Sequence, residues 1–416
     1  MNNVQTLKGF RDFLPSQKRV RTAVATAIAN SFERFGFEPL ETPTLEYASL
    51  LLGKYGSEAD KLVYTFEDRG NREVALRYDQ TVPTARVLAQ YQNELPKFFR
   101  RYQIQNVFRA DKPQKGRYRE FTQCDIDIYN TTSPLADAEI LAGTYEALSA
   151  VGFSQIEIKI NDRQTLLTVL SPFATDQVPV YSIVQTIDKL DKMTPADVAA
   201  ELVAKGLSES RAENVLSAIA AATMSEQLQE ISKLTQQLGI PESTLIFTPS
   251  LARGLDYYTG MIFEITIPGY EGGSCGGGGR YDNLIGQLCG KETPAVGVGI
   301  GFDRVVEAAL ALGIATSKAS TKALVTVFET ASQSLATNYT LQITTKLRKA
   351  GIAVELYPTP DDLSKQFKYA DKKGIPFVIV AGEAEQSQNI VVLKNLVTGQ
   401  QDSVSIDKAI STLATK

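Results

Sequence analysis

The chain has 416 residues, 43% hydrophobic and 22% charged, with a net charge of −4 and no histidine. The missing histidine rules out Ser-His-Asp and Cys-His catalysis and His-ligated zinc, leaving carboxylates, Arg, Lys, Tyr, a hard metal such as Mg2+, or the substrate itself for any chemistry. The length points to two or three domains, no run approaches the ~18 apolar residues of a membrane span, and three cysteines without CxxC spacing, Cys124, Cys275 and Cys289, fit a reducing cytoplasm.

Gly9–Pro15 reads as a turn before a helix over about Ser16–Phe35, in which Val20, Val24, Ile28 and Phe32 recur every fourth residue; that spacing makes an amphipathic helix of a stretch that otherwise imitates a signal-peptidase site. Phe37–Pro43 is extended and punctuated by proline, which suits an edge or an interface. Tyr64–Glu67 and Glu73–Arg77 bracket Asp68-Arg69-Gly70-Asn71 as a hairpin. The second of these strands delivers Asp79 and Thr81 just before a helix opened by Pro83.

Lys97–Tyr129 then reads as two strands joined by a basic loop. From Lys97 to Arg119 there are eight Lys/Arg against the single acid Asp111, a local basic ribbon on an acidic protein that implies a polyanionic ligand. The second strand alternates: Thr122, Cys124, Ile126 and Ile128 face a core, while Phe121, Gln123, Asp125, Asp127 and Tyr129 face the other way, as on the floor of a pocket. Ser133-Pro134 opens a helix, and Gln155–Ile160 is a strand. Residues 167–245 are Ala-, Ser-, Gln- and Lys-rich with helical periodicity, and read as a helical insertion. Leu251–Gly260 leads into the strand Met261–Ile267. The glycines of 272–279 lack GxxxxGK[ST] and Rossmann context, so they read as a tight turn giving close backbone approach to a small ligand. Helices follow from Asn283 and from Phe302-Asp303-Arg304, on either side of the extended Ala295–Gly301.

A boundary falls near Thr316–Thr321. Beyond it strands (Ala323–Phe328, Ile352–Tyr357, Pro376–Ala381) alternate with helices (about Ser332–Lys349, Asp361–Lys373), and two short strands, Ile390–Leu393 and Ser403–Ile406, flank Thr398-Gly399-Gln400. This is a small α/β domain.

Separate segments thus supply Asp79, Arg109, Gln123, Asp127, Arg253, Tyr258 and Arg304, and the joint arrangement resembles the histidyl-tRNA synthetases among the class II aminoacyl-tRNA synthetases. The Pro43 segment is similar to motif 1, Phe108–Asp127 to motif 2 and Gly299–Arg304 to motif 3. Leu251–Gly260 and Gly276–Asp282 look like the two signatures particular to the histidine enzyme. The resemblance implies an α+β fold: residues 1–320 as a catalytic domain with a class II antiparallel sheet flanked by helices and a helical insertion over about 167–245, and residues 321–416 as an α/β anticodon-binding domain. It implies a cytoplasmic homodimer that joins L-histidine to its tRNA using ATP and Mg2+, whose ligands stay unassigned.

The residue roles the resemblance implies also make physical sense. Arg109 and Arg253 would stabilise charge building on the α-phosphate, with Gln123 beside them as the third catalytic residue; pre-placed donors are usually the largest catalytic contribution. Arg117 would hold the outer phosphates, Arg304 would stack on adenine opposite Phe121, and Glu120 would touch the adenine amino group. Asp79, Thr81 and Gln123 would bind the α-ammonium and carboxylate of histidine, Asp127 and Tyr258 the imidazole nitrogens; Arg253 borders the same amino acid, and Tyr257 and Arg280 would line the pocket or its glycine-rich lid. Lys112 and Gln114 would meet the tRNA acceptor end. Two departures stand out. Ala110-Asp111 follows Arg109 where many bacterial members place a histidine and an acid, and Asp79 and Asp127 replace the Glu that many use, one methylene shorter. The rival reading is the histidine-sensing regulatory subunit of ATP phosphoribosyltransferase, whose members lack the C-terminal domain that Lys322 onward supplies here.

Overall fold

The computed structural model describes residues 4–53, 60–113, 116–252, 257–316, 319–328 and 338–414. The chain divides into one unit of residues 1–14 and 20–316 and a second of residues 15–19 and 317–416. The first helix, α1 (Pro15–Arg34), buries Val20, Val24, Ile28 and Phe32 on one face, as their spacing requires. Glu38–Pro39 (β1) lies at the edge of the large sheet, where a proline lacking its N–H is tolerated. Strands β2 (Leu45–Tyr47), β3 (Thr65–Glu67) and β4 (Glu73–Leu76) form a small antiparallel sheet in the order β2-β4-β3. The β3–β4 turn is tied by Asp68, whose carboxylate accepts from the backbone N–H groups of Gly70 and Arg72.

The large sheet adds β5 (Arg100–Phe108), β6 (Glu120–Tyr129), β7 (Glu157–Asp162), β8 (Leu245–Phe247), β9 (Met261–Thr266), β10 (Gly276–Arg280) and β11 (Ala295–Gly301), in the spatial order β1-β5-β6-β11-β10-β9-β7-β8. Its inner pairings are antiparallel; only β1 on β5 and β7 on β8 run parallel. The period of two sorts each strand between two cores. Cys124, Ile126 and Ile128 of β6, with Met261, Phe263 and Ile265 of β9, face α1 and the other helices of the first core. Tyr129 and Ile262 face the second core, shared with Ile183, Val184, Val198, Leu202 and Val215. These last residues sit on Val180–Ile187, Pro195–Lys205 and Glu209–Ala220, three of the helices between β7 and β8.

Three helices flank the large sheet. They are α2 (Thr81–Gln90), α3 (Pro134–Val151) and α4 (Phe302–Ala311). The second of them shows why the sequence folds as it does: the Ser133 hydroxyl accepts from the Leu135 N–H, Pro134 stands in the first turn, and Gly152 ends the helix at φ 115. Pro83 lies in the first turn of α2, which begins two residues earlier at Thr81.

The glycines of 272–279 differ from expectation. The turn ends before Gly276, and Gly276–Arg280 is a strand inside the sheet, hydrogen-bonded on both sides. The reason is steric: a Cβ at Gly278 would overlap the Gly297 carbonyl oxygen, and one at Gly279 the Met261 carbonyl oxygen.

In the C-terminal unit, β12 (Ala323–Val325), β13 (Val354–Leu356) and β14 (Phe377–Val380) pair in parallel, and β15 (Val391–Asn395) and β16 (Gln401–Val404) continue antiparallel, in the order β13-β12-β14-β15-β16. Its own core includes Val325, Ile343, Leu347, Ile379 and Leu413. The helix expected from Ser332 runs over Asn338–Lys349; its first residues lie outside the described ones.

Candidate active site

A cleft of about 270 Å3 opens between the β5–β6 loop and the start of α4. Arg109, at the end of β5, donates from Nε to the Tyr78 carbonyl at 3.2 Å and lies 4.4 Å from the Tyr78 ring centre and 5.2 Å from that of Phe121. Across the cleft Arg304 donates from Nη1 to the Ser274 carbonyl at 2.6 Å. Both guanidiniums are therefore oriented before any ligand arrives, the arrangement that stabilises developing charge without reorganisation. Asp303, beside Arg304, takes hydrogen bonds from Arg11 at 2.9 Å, from the Thr122 N–H at 2.8 Å and from Arg21. Arg11 in turn lies 3.2 Å from the centre of the Tyr118 ring. The N-terminal turn thus braces the cleft.

Through Arg109, Gln123 and Gly299 the cleft continues into a second pocket of about 330 Å3 that is strongly acidic. Asp79, Thr81, Asp125, Asp127, Tyr257 and Tyr258 line it. Asp79 accepts from the Val82 N–H at 3.2 Å, so the first turn of α2 holds its carboxylate in place. Asp127 receives the Tyr281 hydroxyl, and its Oδ2 lies 2.6 Å from Arg101 Nη2. Arg101 is fully buried. Burial works against its charge, but Asp127, joined by Tyr129, Asp125 and Tyr281, together outweighs that effect, so the guanidinium holds its proton more firmly than usual. Asp125 differs: burial, reinforced by Asp127 and Asp79 and opposed by Arg101, pushes its carboxyl up to about 8. Gln123 Oε1 and Asp125 Oδ1 are buried with no hydrogen-bond partner among the described residues. A pocket offering such acceptors calls for a donor-rich, cationic occupant.

Of the residues singled out in the sequence, Arg109, Arg117, Phe121, Gln123 and Arg304 line the cleft, and Asp79, Thr81, Asp127, Tyr257 and Tyr258 the acidic pocket. Arg117 is exposed, with Nε 3.9 Å from Asp111 Oδ2. Tyr257 is 42% exposed, and its ring centre lies 4.4 Å from that of Tyr258. Glu120 is not among the residues of the cleft; it accepts from Asn106 Nδ2 at 2.8 Å. Arg280 is not at the pocket either. It is buried against Asp137 and also donates to Asp282 and the Thr131 carbonyl, because a guanidinium on a central strand needs a buried counter-charge. Lys112 is exposed. Arg253 and Gln114 lie outside the described residues.

A family model described as histidyl-tRNA synthetase matches residues 9–305, and one described as an anticodon binding domain matches residues 322–416. The chain belongs to the histidyl-tRNA synthetase family. It is 36% identical over 450 residues to a histidine–tRNA ligase from Cytophaga hutchinsonii, covering 98% of each chain. It is similar to the crystal structure of histidyl-tRNA synthetase from Nostoc sp. PCC 7120, with a TM-score of 0.85 and 31% identity over 99% of both chains. It shares its fold with an ATP phosphoribosyltransferase regulatory subunit/histidyl-tRNA synthetase from Bacillus halodurans, at a TM-score of 0.72 and 21% identity, over 89% of this chain and 97% of that one. The fold expected of the family is present: a class II synthetase sheet flanked by helices, and a separate C-terminal α/β unit.

Three residues around the synthetase pocket escaped the sequence reading. Arg101 looked like one more cation of the basic ribbon, yet its register opposite Asp127 buries it beneath the pocket. Tyr281 sat next to Arg280 in a stretch read for its glycines. Asp125 was placed on the pocket face by the alternation of β6 but given no role. A signal for Arg101 was the alternation of β5, which sets it on the same face as Gln103, opposite the acids Asp125 and Asp127 of β6.

Proposed function

We propose that this chain is a histidine–tRNA ligase that activates L-histidine with ATP and then transfers it to the 3′ end of its tRNA. In the first step a carboxylate oxygen of histidine attacks the α-phosphate of ATP, the bond to pyrophosphate breaks, and histidyl-adenylate remains. The attacking group is already ionised at neutral pH, so no protein base is needed and the absence of histidine side chains is no obstacle. Arg109, with Arg253, stabilises the charge building on the α-phosphate; Arg117 holds the outer phosphates; adenine lies between Phe121 and Arg304. Asp79, Thr81 and Gln123 hold the α-ammonium and carboxylate, and Asp127 and Tyr258 read the imidazole nitrogens. In the second step a ribose hydroxyl attacks the acyl carbon, an adenylate phosphate oxygen accepts its proton, and AMP leaves. Mg2+ would enter with the phosphates: the carboxylates of Asp111 and Glu307 at the cleft are the hard oxygen donors such a cation takes.

One observation carries the reading: the arginine-lined cleft and the acidic pocket share Arg109, Gln123 and Gly299, so a polyanion and a small cation would meet at one point. Residues 1–320 act as the catalytic domain, with the helices of 167–245 inserted into it, and residues 321–416 bind the anticodon. Leu45, Tyr47 and Phe66, on one face of the β2-β4-β3 sheet, are 45%, 59% and 47% exposed; a second copy of the chain covers them in a homodimer, which sedimentation would report as twice the 45.4 kDa chain mass. The reaction belongs in the cytoplasm, and the buried thiols Cys124 and Cys275 suit a reducing compartment. Histidine-dependent exchange of pyrophosphate into ATP, followed by charging of histidine tRNA, tests the proposal. Histidine binding without exchange would favour the regulatory-subunit reading instead.

A further inference from the structure

The acidic pocket holds one more carboxyl group than the recognition of histidine just described employs. Asp125 is 5% exposed, lies on the pocket face of β6 between Gln123 and Asp127, and lines the cavity. It is the more distant of the two acids beside the buried arginine: Arg101 has Nη2 2.6 Å from Asp127 and Nη1 donating to Gln103, and its nearest approach to Asp125 is 4.0 Å. Asp125 Oδ1 has no hydrogen-bond partner among the described residues. Opposite it in β11 stands Gly299, where a Cβ would come within 3.3 Å of that same oxygen; the glycine keeps the space before Oδ1 open. A buried carboxyl facing open space in a small-molecule pocket is a site for a ligand donor.

Resting on the ligase reading, we propose that Asp125 is a further specificity-determining residue, facing the α-ammonium of histidine and closing with Asp79 and Asp127 a cage of three acids. Four charged groups face it: Arg101 and Arg109 from β5 and its end, Asp127 from its own strand, and Asp79 from the start of α2. Burial, helped by the two acids, opposes its ionisation in the empty pocket against the pull of the two arginines, and an entering ammonium reverses the balance. The substrate cation therefore displaces the carboxyl proton to solvent, and the pocket gains its third negative charge only when the correct charge arrives. An analogue without the ammonium leaves Asp125 neutral and forfeits that contact.

Two ligands separate this role from general packing: histidinol, which keeps the ammonium, and imidazolepropionate, which lacks it. Calorimetry of wild-type protein at neutral pH, in buffers of different ionisation enthalpy, reads proton release, from which the protons carried by each free ligand's own imidazole are subtracted because the two rings titrate differently. Histidinol should release about one proton more than imidazolepropionate. In Asp125→Asn that difference should vanish, histidinol should bind at least about tenfold more weakly, and imidazolepropionate should change by no more than about twofold. Equal proton release by the two ligands in the wild type overturns the proposal, whether or not the variant folds. So does an Asp125→Asn protein that weakens both ligands alike or neither. Absence of histidine-dependent pyrophosphate exchange in the wild type would overturn the ligase reading alone, and normal exchange with equal proton release would overturn only the role of Asp125.

Discussion

Asp127 owes its position to two groups to which the sequence reading gave no role: the Tyr281 hydroxyl and the Arg101 guanidinium. Removing a hydrogen bond to a charged group typically costs about 1.5–3 kcal/mol, so Tyr281→Phe should raise the KM for histidine by about tenfold to a hundredfold and leave the KM for ATP unchanged; steady-state exchange kinetics read both. Asp125 makes a separate prediction about pH. Its folded value is raised from 3.8 to about 8, so between those limits the folded protein keeps a proton that the unfolded chain has lost. The contribution to stability is complete below pH ~4 and is lost as pH rises towards ~8. Urea unfolding of the ligand-free protein should show stability falling over that window, by up to about 1.4 kcal/mol per pH unit, and Asp125→Asn should flatten the fall.

Strands β10 and β11 show how an element can serve a site without contributing a reacting group. Gly297 faces Asp127 across the β11–β6 pairing, and a Cβ there would overlap Asp127 Oδ1. Gly297→Ala must therefore displace the carboxylate or push the strands apart. Histidine-dependent exchange should fall by about a hundredfold or more, the loss expected when a binding group moves by about 1 Å. Arg280, at the end of β10, has the opposite character. Its ion pair with Asp137 of α3 is buried, at 3% and 0% exposure, and ties the central sheet to a flanking helix. Asp137→Ala would strand the guanidinium in the interior, and thermal or denaturant unfolding should register a loss of about 3–5 kcal/mol.

At the scale of the whole molecule, the two units have separate apolar cores: Val24, Ile126 and Phe263 belong to one, Val325, Ile343 and Ile379 to another. With the proposed chemistry confined to residues 1–320, a chain ending at Thr316 should retain histidine-dependent pyrophosphate exchange. Its charging of tRNA should drop by about a hundredfold or more, equivalent to roughly 3 kcal/mol of lost anticodon binding. Aminoacylation and exchange assays on the same preparation distinguish the two steps.

Periodicity and composition were enough to read the helix of Val20, Val24, Ile28 and Phe32, the two faces of β6, the edge position of the Pro39 segment and the strand–helix alternation after Thr321. Each depends on contacts a few residues apart or on a repeat of two or four, which a linear chain carries openly. The absence of histidine likewise settled by itself which catalytic chemistries were closed. The glycines of β10 were misread as a turn because the reason for them lies in the Gly297 and Met261 carbonyls of neighbouring strands, distant in the chain. Arg101, Tyr281 and Asp125 acquired meaning only when pairing of β5, β6 and β11 set them around one cavity. Charge in water says little about charge under a sheet: burial turns the same carboxyl from an ordinary surface acid into one that holds its proton, and only the tertiary structure decides what is buried.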